Sequence, residues 1–221
     1  MEHKAAVVIP GGGSPYSEAC CPVYQLIRDG GRRFGWDVAV LDYLRSGQGM
    51  SQPLGWLTFP KAVACAQSEM QPAERVIGLS FGVSVCASLA ASGLLKTSQL
   101  IWYAPIPWEA YTRLYARPKD VKRINAEAAL EGRGVRIAQS FLASLTPLEQ
   151  LVRQMRGFMV TIVVGTKDSL TSTTFALSLI DQLRDAGNTA RLHVVQGARH
   201  EMMEGNASEH VRTAYLEALF A

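Results

Sequence analysis

The sequence predicts an α/β fold in which a mostly parallel six-stranded sheet is covered by helices on both faces. Short apolar runs of strand length alternate with longer segments of helical periodicity along the 221 residues. One apolar run ends in Gly-x-Ser-x-Gly and passes directly into a helical segment of small residues. Reactive side chains follow two later runs at their carboxyl ends, which meet at one edge of a parallel sheet.

The apolar runs predict strands near residues 5–10, 37–41, 74–79, 98–103, 159–164 and 191–196. Helical periodicity predicts helices near residues 17–34, 59–69, 81–93, 171–186 and 207–220. The alternation stops between Pro105 and Arg156, over a stretch too long for a simple crossover. In that stretch we expect helical pieces near residues 108–116, 119–130, 134–144 and 147–156.

Residues 76–85, Val-Ile-Gly-Leu-Ser-Phe-Gly-Val-Ser-Val, have the form of a nucleophile elbow. Such a strand-to-helix turn is sharp enough to strain the backbone of its serine, here Ser80. It also exposes that serine at the carboxyl end of the sheet. A Cβ at Gly78 or Gly82 is expected to strike the neighbouring strand or helix. Because the pattern alone is not specific, the rest of the chain has to support it.

A serine nucleophile needs a general base, and the base needs a group that orients it. With this elbow, the acid and then the histidine follow the serine along the chain. Asp168 comes just after the predicted strand at 159–164, and His200 comes just after the one at 191–196. Both are therefore expected at the same sheet edge as Ser80. Asp42 also follows a strand and is the alternative acid, but it precedes Ser80 in the chain.

The first predicted strand ends in a glycine-rich loop, Pro-Gly-Gly-Gly-Ser-Pro at residues 10–15. Glycines let the backbone approach a ligand closely with its N–H groups directed inward. In a site with this elbow, the oxyanion is held by the N–H after the nucleophile and by one from such a loop. We therefore expect Phe81 and Gly12 to be the donors, with Gly13 beside them as a second candidate and substrate contact. An ordinary flexible turn is the alternative.

These residues resemble the α/β-hydrolases, most closely the monoacylglycerol lipase, lysophospholipase and serine aminopeptidase group. Residues 41–51, Leu-Asp-Tyr-Leu-Arg-Ser-Gly-Gln-Gly-Met-Ser, are similar to that group's Asp-aromatic-Arg-Gly-x-Gly-x-Ser loop with one inserted residue. Residues 197–204, Gly-Ala-Arg-His-Glu-Met-Met-Glu, resemble its Gly-x-x-His-Glu-x-x-x-Glu segment. Residues 165–168 match its Gly-x-x-Asp at the acid.

The resemblance implies one α/β-hydrolase domain over residues 1–221, with a helical cap inserted at about 105–156. The sequence departs from the pattern of this group in two places. Pro10-Gly11 stands where the group has His-Gly before the oxyanion loop. The one or two strands that normally precede this loop are expected to be missing, which leaves a minimal core.

Composition supports a globular protein without a metal site or a membrane span. Nearly half of the residues are hydrophobic and 19% are charged, which excludes disorder. No apolar run approaches the ~20 residues of a membrane helix, and we expect no signal peptide. The four cysteines lack metal-ligand spacing, so reduced thiols in a cytoplasmic protein are expected. We expect no metal, no cofactor and no nucleic-acid partner; the oligomeric state is open.

Two features of the expected cap bear on the substrate. Trp108 and Tyr111 belong to an aromatic group where sheet and cap meet, and we expect them to contact substrate; core packing is the alternative. Residues 108–156 contain nine basic and five acidic side chains. This excess predicts attraction of anionic substrates, although solvated helix faces also explain it.

Together these features predict a serine hydrolase that cleaves carboxylic esters through an acyl-enzyme on Ser80. The substrate is expected to be a small acyl ester or thioester. The first alternative is a thioesterase or acyltransferase acting on carrier- or CoA-linked acyl groups. The second is a non-catalytic ligand-binding protein of the same fold.

Overall fold

The computed structural model describes residues 4–11, 22–43, 58–115, 143–200 and 207–221. Its six strands form one sheet in the order β2-β1-β3-β4-β5-β6, and every pairing is parallel. The prediction of a parallel six-stranded sheet is confirmed, and each strand begins and ends within two residues of its expected bounds. The strands are β1 (Lys4–Ile9), β2 (Trp36–Val40), β3 (Arg75–Leu79), β4 (Gln99–Tyr103), β5 (Met159–Gly165) and β6 (Thr189–Val195).

The described helices alternate with these strands. They are α1 (Pro22–Arg33), α2 (Phe59–Glu69), α3 (Phe81–Ala91), α4 (Trp108–Tyr115), α5 (Leu148–Val152), α6 (Thr173–Asp185) and α7 (Glu209–Phe220). Within the described ranges, none of these helices is both long and apolar enough to span a membrane.

Several expected helices differ from the structure or lie wholly or partly outside the described residues. The helix expected near 147–156 is only α5, because the chain turns after Arg153 and passes through Gly157, whose φ is +76°, to enter β5. The expected pieces near 119–130 and most of 134–144 lie outside the described residues, as does the start of the helix expected at 17.

The core has two halves, one on each face of the sheet, because successive strand residues point to opposite faces. On one face α2, α3, α5 and α6 pack against side chains that include Leu100 and Trp102 of β4. On the other face α1 and α7 pack against Ile101 and Tyr103 of the same strand. The predicted cover of helices on both faces is therefore confirmed, and β4 contacts both halves of the core.

The carboxyl end of α7 is anchored at the amino-terminal edge of the sheet. The Trp36 indole donates to the carbonyl of Phe220 at 2.9 Å, and the Arg75 guanidinium donates to that of Leu219 at 2.6 Å. The same guanidinium lies over the indole ring, 4.2 Å from its centroid. A cation is favourable at this position because the last turn of a helix carries partial negative charge. These contacts lie at the sheet edge opposite the one that carries Ser80.

Candidate active site

Ser80 occupies a strained turn between β3 and α3. Its backbone has φ 52° and ψ −115°, a conformation that costs a non-glycine residue roughly 1–3 kcal/mol. The surrounding hydrogen bonds hold it there: the Ser80 N–H donates to the carbonyl of Tyr103 at 2.8 Å, and the Ser80 carbonyl accepts from Val83 at 3.0 Å. The turn projects a partly exposed Ser80 from the carboxyl-terminal edge of the sheet.

The glycines on either side of Ser80 are there because the elbow is packed tightly. A Cβ on Gly78 would lie 2.9 Å from Cα of Val83, at the start of α3. A Cβ on Gly82 would overlap the carbonyl oxygens of Ile9 and Pro10. Both clashes involve backbone atoms, which cannot rotate away. The sequence expectation for these two glycines therefore agrees with the packing.

Three of the predicted site residues come together in one chain of hydrogen bonds. Nε2 of His200 lies 2.9 Å from Oγ of Ser80. Nδ1 of His200 lies 3.0 Å from Oδ2 and 3.1 Å from Oδ1 of Asp168. The His200 side chain is 12% exposed and that of Asp168 is fully buried. Serine, imidazole and carboxylate thus lie in the order that a proton transfer from serine to histidine requires.

The turn after β5 holds the carboxylate of Asp168 in place. Its Oδ1 accepts hydrogen bonds from the backbone N–H groups of Leu170 and Thr171, both at 2.8 Å. Thr171 is fully buried, and its hydroxyl donates to the carbonyl of Pro105 at 2.8 Å. These bonds orient the carboxylate toward His200 before any ligand arrives.

The loops that carry Asp168 and His200 are joined directly. The N–H of Lys167 donates to the carbonyl of Ala198 at 2.8 Å, and the hydroxyl of Thr166 accepts from the N–H of Gly197 at 2.8 Å. A Cβ on Gly165 would overlap the carbonyl of Ala198, so only glycine permits this approach. The distance between carboxylate and imidazole is therefore set by contacts between their backbones as well.

Asp42, the alternative acid, follows β2, which is the strand at one end of the sheet. Asp168 follows β5, near the other end. Its N–H donates to Oε2 of Glu69 at 2.7 Å. Burial is the main cause that raises the pKa of Glu69, and the nearby Asp42 carboxylate raises it further. The carboxylate in contact with His200 is that of Asp168, in agreement with the chain order Ser, Asp, His.

The expected oxyanion donors are described only in part. Phe81 is the first residue of α3, directly after Ser80, and its ring packs edge-to-face on Phe59 with centroids 6.1 Å apart. Gly11 brings the glycine-rich loop against the elbow, since a Cβ there would lie 3.1 Å from that of Ser80. The Tyr43 hydroxyl donates to the carbonyl of Pro10 at 2.9 Å and fixes the start of this loop. Gly12 and Gly13 lie outside the described residues.

The two aromatic residues expected to contact substrate lie on α4. Tyr111 is 3% exposed and belongs to the same apolar cluster as Phe81. Trp108 is partly buried and packs against that cluster. Core packing, the alternative that the sequence left open, accounts for the position of Tyr111. A substrate contact stays a prediction for both.

Sequence reasoning missed Thr171 and gave Tyr103 no role in positioning the three groups. Both contact the loops that carry the three reactive groups. The available signal was position, because Tyr103 ends a strand and Thr171 follows one at the same sheet edge. The hydroxyl partners of Thr171 and Tyr103, the carbonyls of Pro105 and His200, lie 66 and 97 residues away in the chain, and no local pattern identifies them.

Other candidate sites are weaker. Among the described residues, no group of three or more His, Cys, Asp or Glu is arranged to hold a metal ion. Cys86 is buried, and burial raises the pKa of its thiol to about 12, which makes it a poor nucleophile. A groove of about 210 Å³ between the ends of α2 and α3 is lined by Val76, Leu89 and Lys96 among others. It lies at the opposite sheet edge and contains none of the predicted site residues.

The sequence matches no protein-family model and no curated protein. Solved structures do match its fold. Est1E from Butyrivibrio proteoclasticus, with ferulic acid bound, has a TM-score of 0.66 and 18% identity, over 99% of this chain and 87% of that one. Mouse alpha/beta hydrolase domain-containing protein 10 has a TM-score of 0.62 and 17% identity, over 97% and 86%.

A monoacylglycerol lipase from Paleococcus ferrophilus has a TM-score of 0.58 and 17% identity, over 98% of this chain and 93% of that one. These matches cover nearly the whole chain, at identities that carry information on architecture alone. Their likeness therefore concerns the architecture, which in this chain is a parallel six-stranded sheet with helices on both faces. The protein therefore has the α/β-hydrolase fold.

Proposed function

We propose that this protein is a serine hydrolase that cleaves carboxylic esters through an acyl-enzyme on Ser80. The observation that carries the proposal is the pair of contacts made by His200, 2.9 Å to Ser80 and 3.0 Å to Asp168. A buried carboxylate behind an imidazole, with a strained serine in front of it, is the arrangement that activates a hydroxyl for acyl transfer.

In the first step, Oγ of Ser80 attacks the ester carbonyl carbon while Nε2 of His200 takes the hydroxyl proton. Asp168 accepts from Nδ1–H, so Nε2 is left unprotonated and ready to receive that proton. Once the imidazole is protonated, the buried carboxylate stabilises its positive charge. The hydrogen bonds from Leu170 and Thr171 keep the carboxylate in this position.

The attack moves negative charge onto the carbonyl oxygen, which needs donors of its own. We assign this role to the backbone N–H groups of Phe81 and Gly12. The position of Phe81 directly after Ser80, and the contact of Gly11 with the elbow, support the assignment. Loss of one such donor typically lowers kcat by roughly 10²–10³-fold.

The tetrahedral intermediate then collapses as His200 returns its proton to the leaving alcohol. Water attacks the acyl-enzyme, His200 accepts one of its protons, and the acid leaves as the proton passes back to Ser80. Each cycle consumes one ester and one water and restores the starting protonation state. This chemistry needs no metal or cofactor. The cytoplasmic location expected from the sequence stays a prediction.

Ester hydrolysis is the first candidate, and it is supported by the monoacylglycerol lipase among the proteins of similar fold. Acyl thioesters of phosphate-bearing carriers are the second candidate, favoured by the nine basic and five acidic residues in 108–156. An anionic thioester should then lose turnover efficiency as salt is added, because screening weakens the attraction. Equal efficiency at low and high salt would remove this candidate.

The first test is labelling with a fluorophosphonate probe, which reacts with activated serines. Wild type should label, whereas Ser80→Ala and His200→Ala should not. Ser84→Ala is the matched control, since it removes a buried hydroxyl one turn further along α3. A folded wild type that does not label would contradict the proposal and favour a non-catalytic binding role. Labelled protein would next be assayed with p-nitrophenyl esters and acyl-CoA thioesters.

A further inference from the structure

Two buried tyrosines lie directly beneath the loop that carries His200. Tyr103 ends β4 and Tyr215 lies on α7, with 3% and 1% of their surfaces exposed. Their rings pack edge-to-face with centroids 4.9 Å apart, and their hydroxyl oxygens are 2.8 Å apart. Two segments 112 residues apart in the chain therefore place a pair of phenols at one point.

Both hydroxyls contact backbone carbonyls of the histidine loop. The Tyr103 hydroxyl lies 2.9 Å from the carbonyl of His200 and 3.1 Å from that of Arg199. The Tyr215 hydroxyl lies 3.1 Å from the carbonyl of Arg199. Each hydroxyl has one hydrogen, so Tyr103 can donate to Tyr215 and Tyr215 to Arg199, or Tyr215 to Tyr103 and Tyr103 to His200. In either arrangement a phenol holds a carbonyl at or next to the histidine.

Tyr103 also contacts the nucleophile turn through its backbone. Its carbonyl accepts the N–H of Ser80 at 2.8 Å. One residue thus bonds to the serine turn through its main chain and to the histidine loop through its side chain. The contact between Ser80 Oγ and His200 Nε2 joins the same two segments, so its length depends on the gap between the serine turn and the histidine loop. A shift of the Tyr103 hydroxyl would change that gap.

We propose that Tyr103 and Tyr215 are positioning residues that hold His200 in register with Ser80 through the carbonyls of Arg199 and His200. The inference rests on the proposed function, because it concerns the alignment of the same nucleophile and base. Misplacement of a reacting group by about 1 Å can cost a large factor in rate. The hydrogen bond that one phenol of the pair donates to the loop backbone in either arrangement limits such movement while leaving the imidazole able to exchange protons.

Burial keeps the Tyr215 hydroxyl in its donor form. Loss of water around the phenol raises the pKa of Tyr215 to about 12, outweighing the lowering effect of its hydrogen bond with Tyr103. Both hydroxyls lie in a part of the core formed mainly by apolar side chains. A phenylalanine at either position keeps the ring packing and removes only the hydroxyl, so it isolates the hydrogen bonds.

The test compares Tyr103→Phe, Tyr215→Phe and the double variant by kcat, KM, Tm and the rate of fluorophosphonate labelling. We expect each single variant to lower kcat and the labelling rate about threefold to tenfold with KM nearly unchanged, the scale of one hydrogen bond. Since the hydroxyl that remains in a single variant can still donate to the loop, the double variant should lose at least the product of the single losses. Each single variant removes one of the two hydroxyls. The test therefore needs only one of the two single variants to fold.

Trp36→Phe is the control for weaker packing of α7, since it removes the hydrogen bond to Phe220 at the far sheet edge. It should lower Tm and leave kcat unchanged. The proposal is overturned if the tyrosine variants keep wild-type kcat, if only KM changes, or if Trp36→Phe lowers kcat as much as they do. Failure of the proposed function itself shows separately, as labelling or turnover that persists in Ser80→Ala.

Discussion

Nε2 of His200 lies 2.9 Å from Oγ of Ser80, although 120 residues separate them in the chain. The contact depends on the parallel sheet, in which the strands before both residues end at one edge. It also depends on backbone contacts, from Tyr103 to Ser80 and from the acid loop to Ala198. The reactive geometry is therefore a property of the joined strand ends and of no single loop.

The first prediction separates the two candidate acids. Asp168→Asn should lower kcat by about 10⁴-fold, because an amide at this position favours the wrong imidazole tautomer. Asp42→Asn is the matched change after β2, and the kcat of this variant should stay within about threefold of wild type. Ester hydrolysis at saturating substrate measures both. A larger loss in Asp42→Asn than in Asp168→Asn would reverse the assignment.

A second prediction concerns the close packing behind the elbow. Gly82→Ala should destabilise the protein at the upper end of the roughly 1–3 kcal/mol range of overpacking, because the carbonyls of Ile9 and Pro10 cannot rotate away. The free energy of unfolding in urea measures it. Gly93→Asn is the control at the other end of α3, where a Cβ meets nothing within 4 Å and asparagine tolerates the φ of +67°. Equal stability of the two variants would contradict the packing argument.

The third prediction tests the support of the acid loop by Thr171. Thr171→Val keeps the branched shape but removes the hydrogen bond to the carbonyl of Pro105, which costs about 1–3 kcal/mol when the carbonyl stays buried. Because the N–H of the same residue bonds to Asp168, kcat should fall as well. Thr171→Ser retains the hydroxyl and should recover most of both losses. Thermal unfolding and ester kinetics measure the two effects; a serine variant as impaired as valine would contradict this role.

The fourth prediction is a loss of stability at alkaline pH. Burial raises the pKa of Cys86 from 9.0 to about 12, so the folded state retains a proton that the unfolded state releases. The stability that this group contributes is therefore complete below pH 9 and is lost as the pH rises toward about 12. The slope reaches at most about 1.4 kcal/mol per pH unit for one group.

Cys86→Ala should make the unfolding free energy less dependent on pH in this window, as measured by urea unfolding at several alkaline pH values. Cys65→Ala, at the partly buried free cysteine of α2, is the matched control. Tyr215 adds a similar loss that begins near pH 10, because burial raises its pKa to about 12. An unchanged pH dependence in Cys86→Ala would rule out the thiol as its source.

The strands, most helix bounds and the meeting of Ser80, Asp168 and His200 at one sheet edge could be predicted because their signals are local. Apolar runs of strand length, a glycine-flanked serine and polar residues at strand ends each lie within a few neighbouring residues. Where the local signal was weak, the prediction was wrong: the helix expected at 147–156 ends at Val152, because the chain must turn through Gly157 into β5.

By itself, the sequence determined the order of the strands along the chain and placed Ser80, Asp168 and His200 just after strands, since chain periodicity and turn chemistry decide these features. The tertiary structure alone decided the distances from His200 to Ser80 and Asp168, the burial of Tyr111, and the meeting of the Tyr103 and Tyr215 hydroxyls under the histidine loop. The physical reason is that these hydrogen bonds join segments far apart in the chain, and each forms only if its donor and acceptor are placed to within a few tenths of an ångström. Only the packed sheet and helices set those distances.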